Sequence, residues 1–156
     1  MSECEFETER LRVRRWRDSD LPALLAVYGD AEAMRWVGDG RAITHEECVR
    51  WLEVTRDNYD RRGYGMLAIE QRASPGVIGF CGIVHPGGQP QPEVKYALLR
   101  SHWGRGLATE AVSGLLAHGA RAHDTDLGHR AGQLLVRRSD RALGALLHEV
   151  EGVQRR

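Results

Sequence analysis

Residues 93–116, EVKYALLRSHWGRGLATEAVSGLL, pass from a strand-like stretch through two glycines flanking an arginine into a helix-forming run. A glycine turn at the mouth of a helix restricts the fold, because it demands a strand ending and a helix beginning within a few residues of each other. Glycine admits backbone conformations and close approaches that a side chain blocks. The first N–H groups of a helix have no partner within it and point outward together, and their partial positive charge suits an anion. Two readings of Gly104-Arg105-Gly106 stand at this point: a phosphate-sized anion site, or a tight corner whose N–H groups face water. The pattern is neither a Walker loop, since no Gly-Lys-Ser/Thr follows, nor GxGxxG, since Thr109 occupies the last required position.

The rest of the chain supplies a sheet for this turn to belong to. ETERLRVRRW, 7–16, alternates Leu11 and Val13 with charged residues and reads as one half-exposed strand. Asp18 or Ser19 caps the next helix, whose Leu21, Leu24, Leu25 and Tyr28 share one face. Thr44 and Glu47 form a capping box before a second helix with Val49, Leu52 and Tyr59 inward. YGMLAIEQR and GVIGFCGIV read as a hairpin turning at Ala73-Ser74-Pro75-Gly76, and the Gly/Pro/Gln-rich residues 85–92 as a loop. After the glycine turn a helix runs to about His118, residues 132–136 read as a strand, and 141–150 as a helix with Leu143, Leu146, Leu147 and Val150 inward. The order gives a single α/β domain, 1–156, built on a mixed sheet with helices.

Charge and cysteine content narrow the partners. The chain of 156 residues carries 22 basic and 22 acidic side chains, so no global field recommends nucleic acid or an acidic membrane. The start, MSECEFETERLRVRRW, has no apolar run after a basic segment, which reads against a signal peptide, and no stretch approaches the length of a membrane span. Cys4, Cys48 and Cys81 are scattered and odd in number, which favours reduced thiols and a cytoplasmic protein. His45 and Cys48 lack a second ligand pair, so no metal is expected. Cys81, next to Phe80 inside a strand, reads as core and not as a nucleophile.

These segments resemble the GCN5-related N-acetyltransferases, in particular the ribosomal-protein alanine acetyltransferase branch. The resemblance is carried by residues 7–38, by VIGFCGI, and above all by VKYALLRSHWGRGLATEAVSGLL. The family's Gln/Arg-x-x-Gly-x-Gly/Ala pattern is matched by Trp103-Gly104-Arg105-Gly106-Leu107-Ala108, with Trp at its leading end. The resemblance implies an acyl-CoA N-acyltransferase fold with acetyl-CoA as co-substrate and an amine as acceptor. It implies that backbone groups near Leu98, Leu99 and Arg100 pair with the pantetheine arm. The loop Trp103, Gly104, Arg105, Gly106, Leu107, Ala108 and Thr109 would then hold the pyrophosphate. Glu93 is the implied base that takes a proton from the amine, and Trp36 lines the implied acceptor pocket.

The resemblance thins after residue 120. Asp140 falls where the family has Asn, Gly152-Val153 where it has Gly-Phe, and Leu143 or Gly144 where a group that protonates the CoA thiolate often stands. No Phe, Trp or Tyr follows Trp103. Residues 121–156 therefore read as a divergent or incomplete part that lacks the family's last two strands. The expected open edge invites a homodimer. Two functions follow: an acetyl-CoA-dependent N-acetyltransferase acting on a primary amine of a protein N-terminus or small molecule, or a non-catalytic acyl-CoA-binding relative.

Overall fold

A computed structural model describes residues 4–34 and 41–122. Within them the chain forms a five-stranded antiparallel sheet in sequence order: β1 (Cys4–Glu7), β2 (Leu11–Arg15), β3 (Met66–Gln71), β4 (Ser74–Val84) and β5 (Glu93–Leu98). Helices α1 (Leu21–Tyr28), α2 (Ala31–Met34) and α3 (His45–Arg62) lie between β2 and β3, and α4 (Leu107–Ala122) follows β5. Residue 36, the strand expected at 132–136, the helix at 141–150 and the expected open edge lie outside the described residues.

Helices cover both faces of the sheet, so strand residues of both parities are buried. Leu11, Val13, Leu67, Ile69, Cys81, Ile83 and Leu98 pack with Leu107, Ala111, Val112, Leu115 and Leu116 of α4. On the other face Met66, Ala68, Phe80 and Ala97 meet Leu24, Val27 and Tyr28 of α1 and Cys48 and Leu52 of α3. Leu11, Leu24 and Phe80 are fully buried, each stabilising by about 1.5–3 kcal/mol relative to exposure. Gly114 lets α4 approach β1 closely, since a Cβ there would stand 2.7 Å from the Phe6 ring and 2.9 Å from the Thr8 methyl.

Four local expectations need correction. The stretch 7–16 is not one strand: Thr8-Glu9-Arg10 turns the chain, and β1 pairs with β2. The turn is closed locally, Thr8 N–H bonding to Leu11 O at 2.9 Å and Leu11 N–H to Thr8 Oγ1 at 3.1 Å. The β3–β4 hairpin turns at Arg72-Ala73, because Gln71 pairs with Ser74, and Ser74-Pro75-Gly76 belong to β4. Neither Asp18 nor Ser19 caps α1; they lie in a 3-10 turn, Asp18–Asp20, and the carboxylate that works there is Asp20, which accepts from Arg17 N–H at 2.8 Å. In α3 Val49 is exposed and Cys48 faces the core with Leu52, Thr55 and Tyr59. The capping box is present as read: Thr44 Oγ1 accepts from Glu47 N–H at 3.2 Å and Glu47 Oε1 from Thr44 N–H at 3.3 Å.

Asp20 also secures α1 to the sheet. Buried Arg14 donates to Asp20 from Nη1 at 2.8 Å and Nη2 at 3.0 Å, and Nη2 reaches Glu70 Oε1 at 3.0 Å. A buried guanidinium needs such full pairing, since an unpaired buried charge is strongly destabilising.

Candidate active site

β5 stops at Leu98, a 3-10 turn covers Arg100–His102, and α4 starts at Leu107. Gly104 and Gly106 between them have φ of 76° and 74°, a region that costs other residues about 1–2 kcal/mol. The first bond of the helix runs from Glu110 N–H to Gly106 O at 3.1 Å. Among the described residues, the N–H groups of Gly104, Gly106, Leu107, Ala108 and Thr109 find no backbone acceptor. A Cβ on Gly104 would meet nothing within 4 Å, so open space adjoins the donors. Gly104, Arg105 and Gly106 are exposed, whereas Leu107 is buried and anchors the helix start in the core. The arrangement is a set of donors at the positive end of a helix, of the kind that suits an oxyanion.

The turn between β1 and β2 grips this helix start from behind. The Glu110 carboxylate accepts from Thr8 Oγ1, from Arg10 N–H at 2.9 Å and from Arg10 Nε at 2.7 Å. Arg10 Nη1 reaches on to Arg105 O at 2.8 Å. Burial pushes the Glu110 carboxyl up, but the bonds from Thr8 and Arg10 outweigh it and hold it below the usual carboxylate value. Thr8, Arg10 and Glu110 were not singled out in the sequence. The two ends meet only after the sheet forms, and the sole local hint was a charged residue on the first turn of α4.

The register of β4 and β5, with Leu99 N–H bonding to Ile78 O at 2.8 Å, turns the backbone groups of Val94, Tyr96 and Leu98 away from β4. This outward edge is the one a ligand strand could use. Leu98 O already accepts the indole Nε1–H of Trp103 at 3.0 Å, and Leu99 N–H is used by β4. The side chain of Leu98 is buried in the α4 face of the core, and Leu99 packs on the other face. Arg100 Nε is bonded to Asp30 Oδ2 at 2.7 Å, which ties the 3-10 turn to the end of α1. Ala108 is partly buried against the core, and Thr109 is half-buried in the first turn of α4.

Glu93 stands at the other end of the same strand, five residue steps from Leu98, about 17 Å at the usual rise. Glu93 Oε1 accepts from Gln89 Nε2 at 3.1 Å, and Gln89 O is 3.0 Å from His85 Nδ1. A carbonyl can only accept, so Nδ1 carries a proton, and Nε2 is hydrogen-bonded with Tyr64 OH at 2.6 Å. The loop 85–92 is thereby folded onto Glu93 and the start of β3. Beside it, on the face shared with α1 and α3, Lys95 Nζ lies 5.0 Å from the Tyr28 ring centre, Tyr28 stacks on Phe80 at 4.8 Å, and Trp51 donates to Tyr28 OH at 3.2 Å. Trp36 falls outside the described residues. Cys81 is fully buried, and burial pushes its thiol up to about 12, which makes it inert at neutral pH. A small void bordered by Glu5, Tyr64, Leu67, Ile83, Leu115 and His118 lies under α4, has room only for a water-sized guest, and does not reach the glycine turn. Among the described residues no helix is long and apolar enough to cross a membrane.

A family model described as an acetyltransferase (GNAT) domain matches residues 10–138. The uncharacterized N-acetyltransferase YoaA of Bacillus subtilis (strain 168) is 28% identical over 119 residues, covering 75% of this chain and 67% of its own. The crystal structure of an acetyltransferase from Agrobacterium tumefaciens str. C58 superposes with a TM-score of 0.65 at 27% identity, over 74% of this chain and 66% of that one. The RimL ribosomal L7/L12 alpha-N-protein acetyltransferase, solved in complex with coenzyme A, shares the fold with a TM-score of 0.62 at 22% identity, over 78% of this chain and 70% of its own. The chain thus spans about two thirds of the length of these relatives.

Proposed function

The chain belongs to the acetyltransferase (GNAT) domain family, and from that membership and the glycine turn we infer that it binds acetyl-CoA and transfers the acetyl group to a primary amine. The observation that carries this reading is the set of N–H groups at the start of α4, Gly104 and Gly106 to Thr109, that find no backbone acceptor among the described residues. That set suits the pyrophosphate of CoA. The outward edge of β5 suits the amide-bearing pantetheine arm, which runs toward Glu93 and delivers the thioester near the head of the strand. RimL, which shares the fold, has been solved in complex with coenzyme A.

In this reading the enzyme orients two reactants and moves one proton. The amine nitrogen attacks the thioester carbonyl carbon, the carbon–sulfur bond breaks, and CoA leaves as a thiolate. Glu93 takes the proton that the nitrogen loses, directly or through a water. Gln89 Nε2, bonded to Glu93 Oε1, helps to fix the carboxylate in place. The acceptor lies beside the Glu93 end of β5, near the partly exposed Lys95 and Trp51, with Trp36 as an additional wall. A thiol-release assay tests the proposal: the protein with acetyl-CoA and a panel of N-terminal peptides, polyamines and amino acids should release free CoA only when a suitable amine is present. Binding of CoA with no release for any amine class would leave a CoA-binding protein without transferase activity.

A further inference from the structure

We propose that Arg10 is a positioning residue for the anion site, and that the β1–β2 turn sets the direction in which the glycine loop's donors point; this rests on the reading of that loop as the pyrophosphate subsite. The peptide between Arg105 and Gly106 is planar and trans, so its C=O and N–H point in opposite directions. Arg10 Nη1 holds the Arg105 carbonyl at 2.8 Å, which turns Gly106 N–H away from the β1–β2 turn and out of the loop. Arg10 Nη2 lies 3.6 Å from where a Cβ of Gly106 would be, so the guanidinium backs the loop and does not fill its open side.

The guanidinium is itself held. Its Nε and the Arg10 backbone N–H both donate to Glu110, which also takes the Thr8 hydroxyl. Arg10 O accepts from Arg72 N–H at 2.9 Å, and Arg72 Nη1 donates to Thr8 O at 3.2 Å, which fixes the turn from the hairpin beside it. One helical turn beyond Glu110, Gly114 seats α4 against Phe6 and Thr8. The hairpin therefore meets α4 at two points four residues apart, and the fork of Arg10 extends that alignment to the loop. Only a planar fork can bridge Glu110 and the Arg105 carbonyl in this way. The Arg10 side chain is 46% exposed, and exposed ion pairs contribute little to stability. The geometry assigns Arg10 to ligand positioning ahead of fold maintenance.

Calorimetric titration with CoA and with pantetheine, which lacks the pyrophosphate, separates the roles. In Arg10→Ala the CoA dissociation constant should rise about tenfold or more, and the ratio of the CoA and pantetheine constants should shift by the same factor. Arg10→Lys keeps the charge but loses the fork, and CoA affinity should fall several-fold with the melting temperature preserved. It also decides the matter if the alanine variant does not fold. Equal weakening of both ligands, or wild-type CoA affinity in Arg10→Lys, overturns the proposal. A wild-type protein that fails to bind CoA overturns the pyrophosphate reading itself, an outcome distinct from either.

Discussion

The indole Nε1 of Trp103 lies 3.0 Å from the carbonyl oxygen of Leu98, fastening the residue before the glycine loop onto the last carbonyl of β5 that faces away from β4. The ring is 46% exposed, so it stands at the surface beside the loop. Trp103→Phe keeps a ring and removes the donor. Urea unfolding should register a loss of about 0.5–1 kcal/mol, the low end for one hydrogen bond whose acceptor can turn to water. Most of the change in tryptophan emission on adding CoA should disappear with it. An undiminished change in the variant would place the ligand away from this turn.

Gly106→Val should weaken CoA binding about tenfold or more, about 1.4 kcal/mol. Its φ of 74° is unfavourable for any side chain and worst for a β-branched one, so the loop must reshape and its donors diverge. Calorimetry on the folded variant is the check, and unchanged affinity would remove the site from this turn.

Glu93→Gln keeps an oxygen to accept from Gln89 and removes the basic carboxylate. CoA affinity should be retained while turnover falls roughly a hundredfold, the usual worth of a positioned base. A pH–rate profile of the wild type and variant that coincide would reduce Glu93 to a strand-end carboxylate.

Acid should destabilise the protein through Asp20. Burial pushes its carboxyl up, but the Arg14 guanidinium and the Arg17 N–H outweigh that and hold it below the ordinary value. Its folded value is thus below its unfolded one, and the stability it contributes is complete above the unfolded value and lost as pH falls through the folded one. Melting temperature should stay level from neutral pH to about pH 5 and fall below about pH 4, with Glu110, held low in the same way, adding to the fall. Asp20→Asn should cost about 3 kcal/mol at neutral pH, the low end for removing one partner of a buried pair, and flatten the acid limb. An acid limb as steep in the variant as in the wild type would assign the effect to other carboxylates.

Local chemistry made much of this protein readable from the chain alone. The capping box of Thr44 and Glu47, the strand–glycine–helix order at 93–116 and the buried Cys81 all follow from spacing and side-chain type, because each depends on neighbours within a few residues. Readings that needed to choose between local alternatives were less secure. The alternating residues 7–16 fit one strand as well as a hairpin, and the hairpin won because Thr8 closes its own turn and Phe6 has α4 to pack against. Val49 and Cys48 fit α3 equally well, and the angle at which the helix meets the sheet turned Cys48 inward. What only the tertiary structure decided is what joins distant parts of the chain. Arg10 and Glu110 are separated by 100 residues, and no periodicity relates them. Their contact exists because β1 and β2 run beside α4, and the same contact directs the loop whose glycines the sequence had already marked.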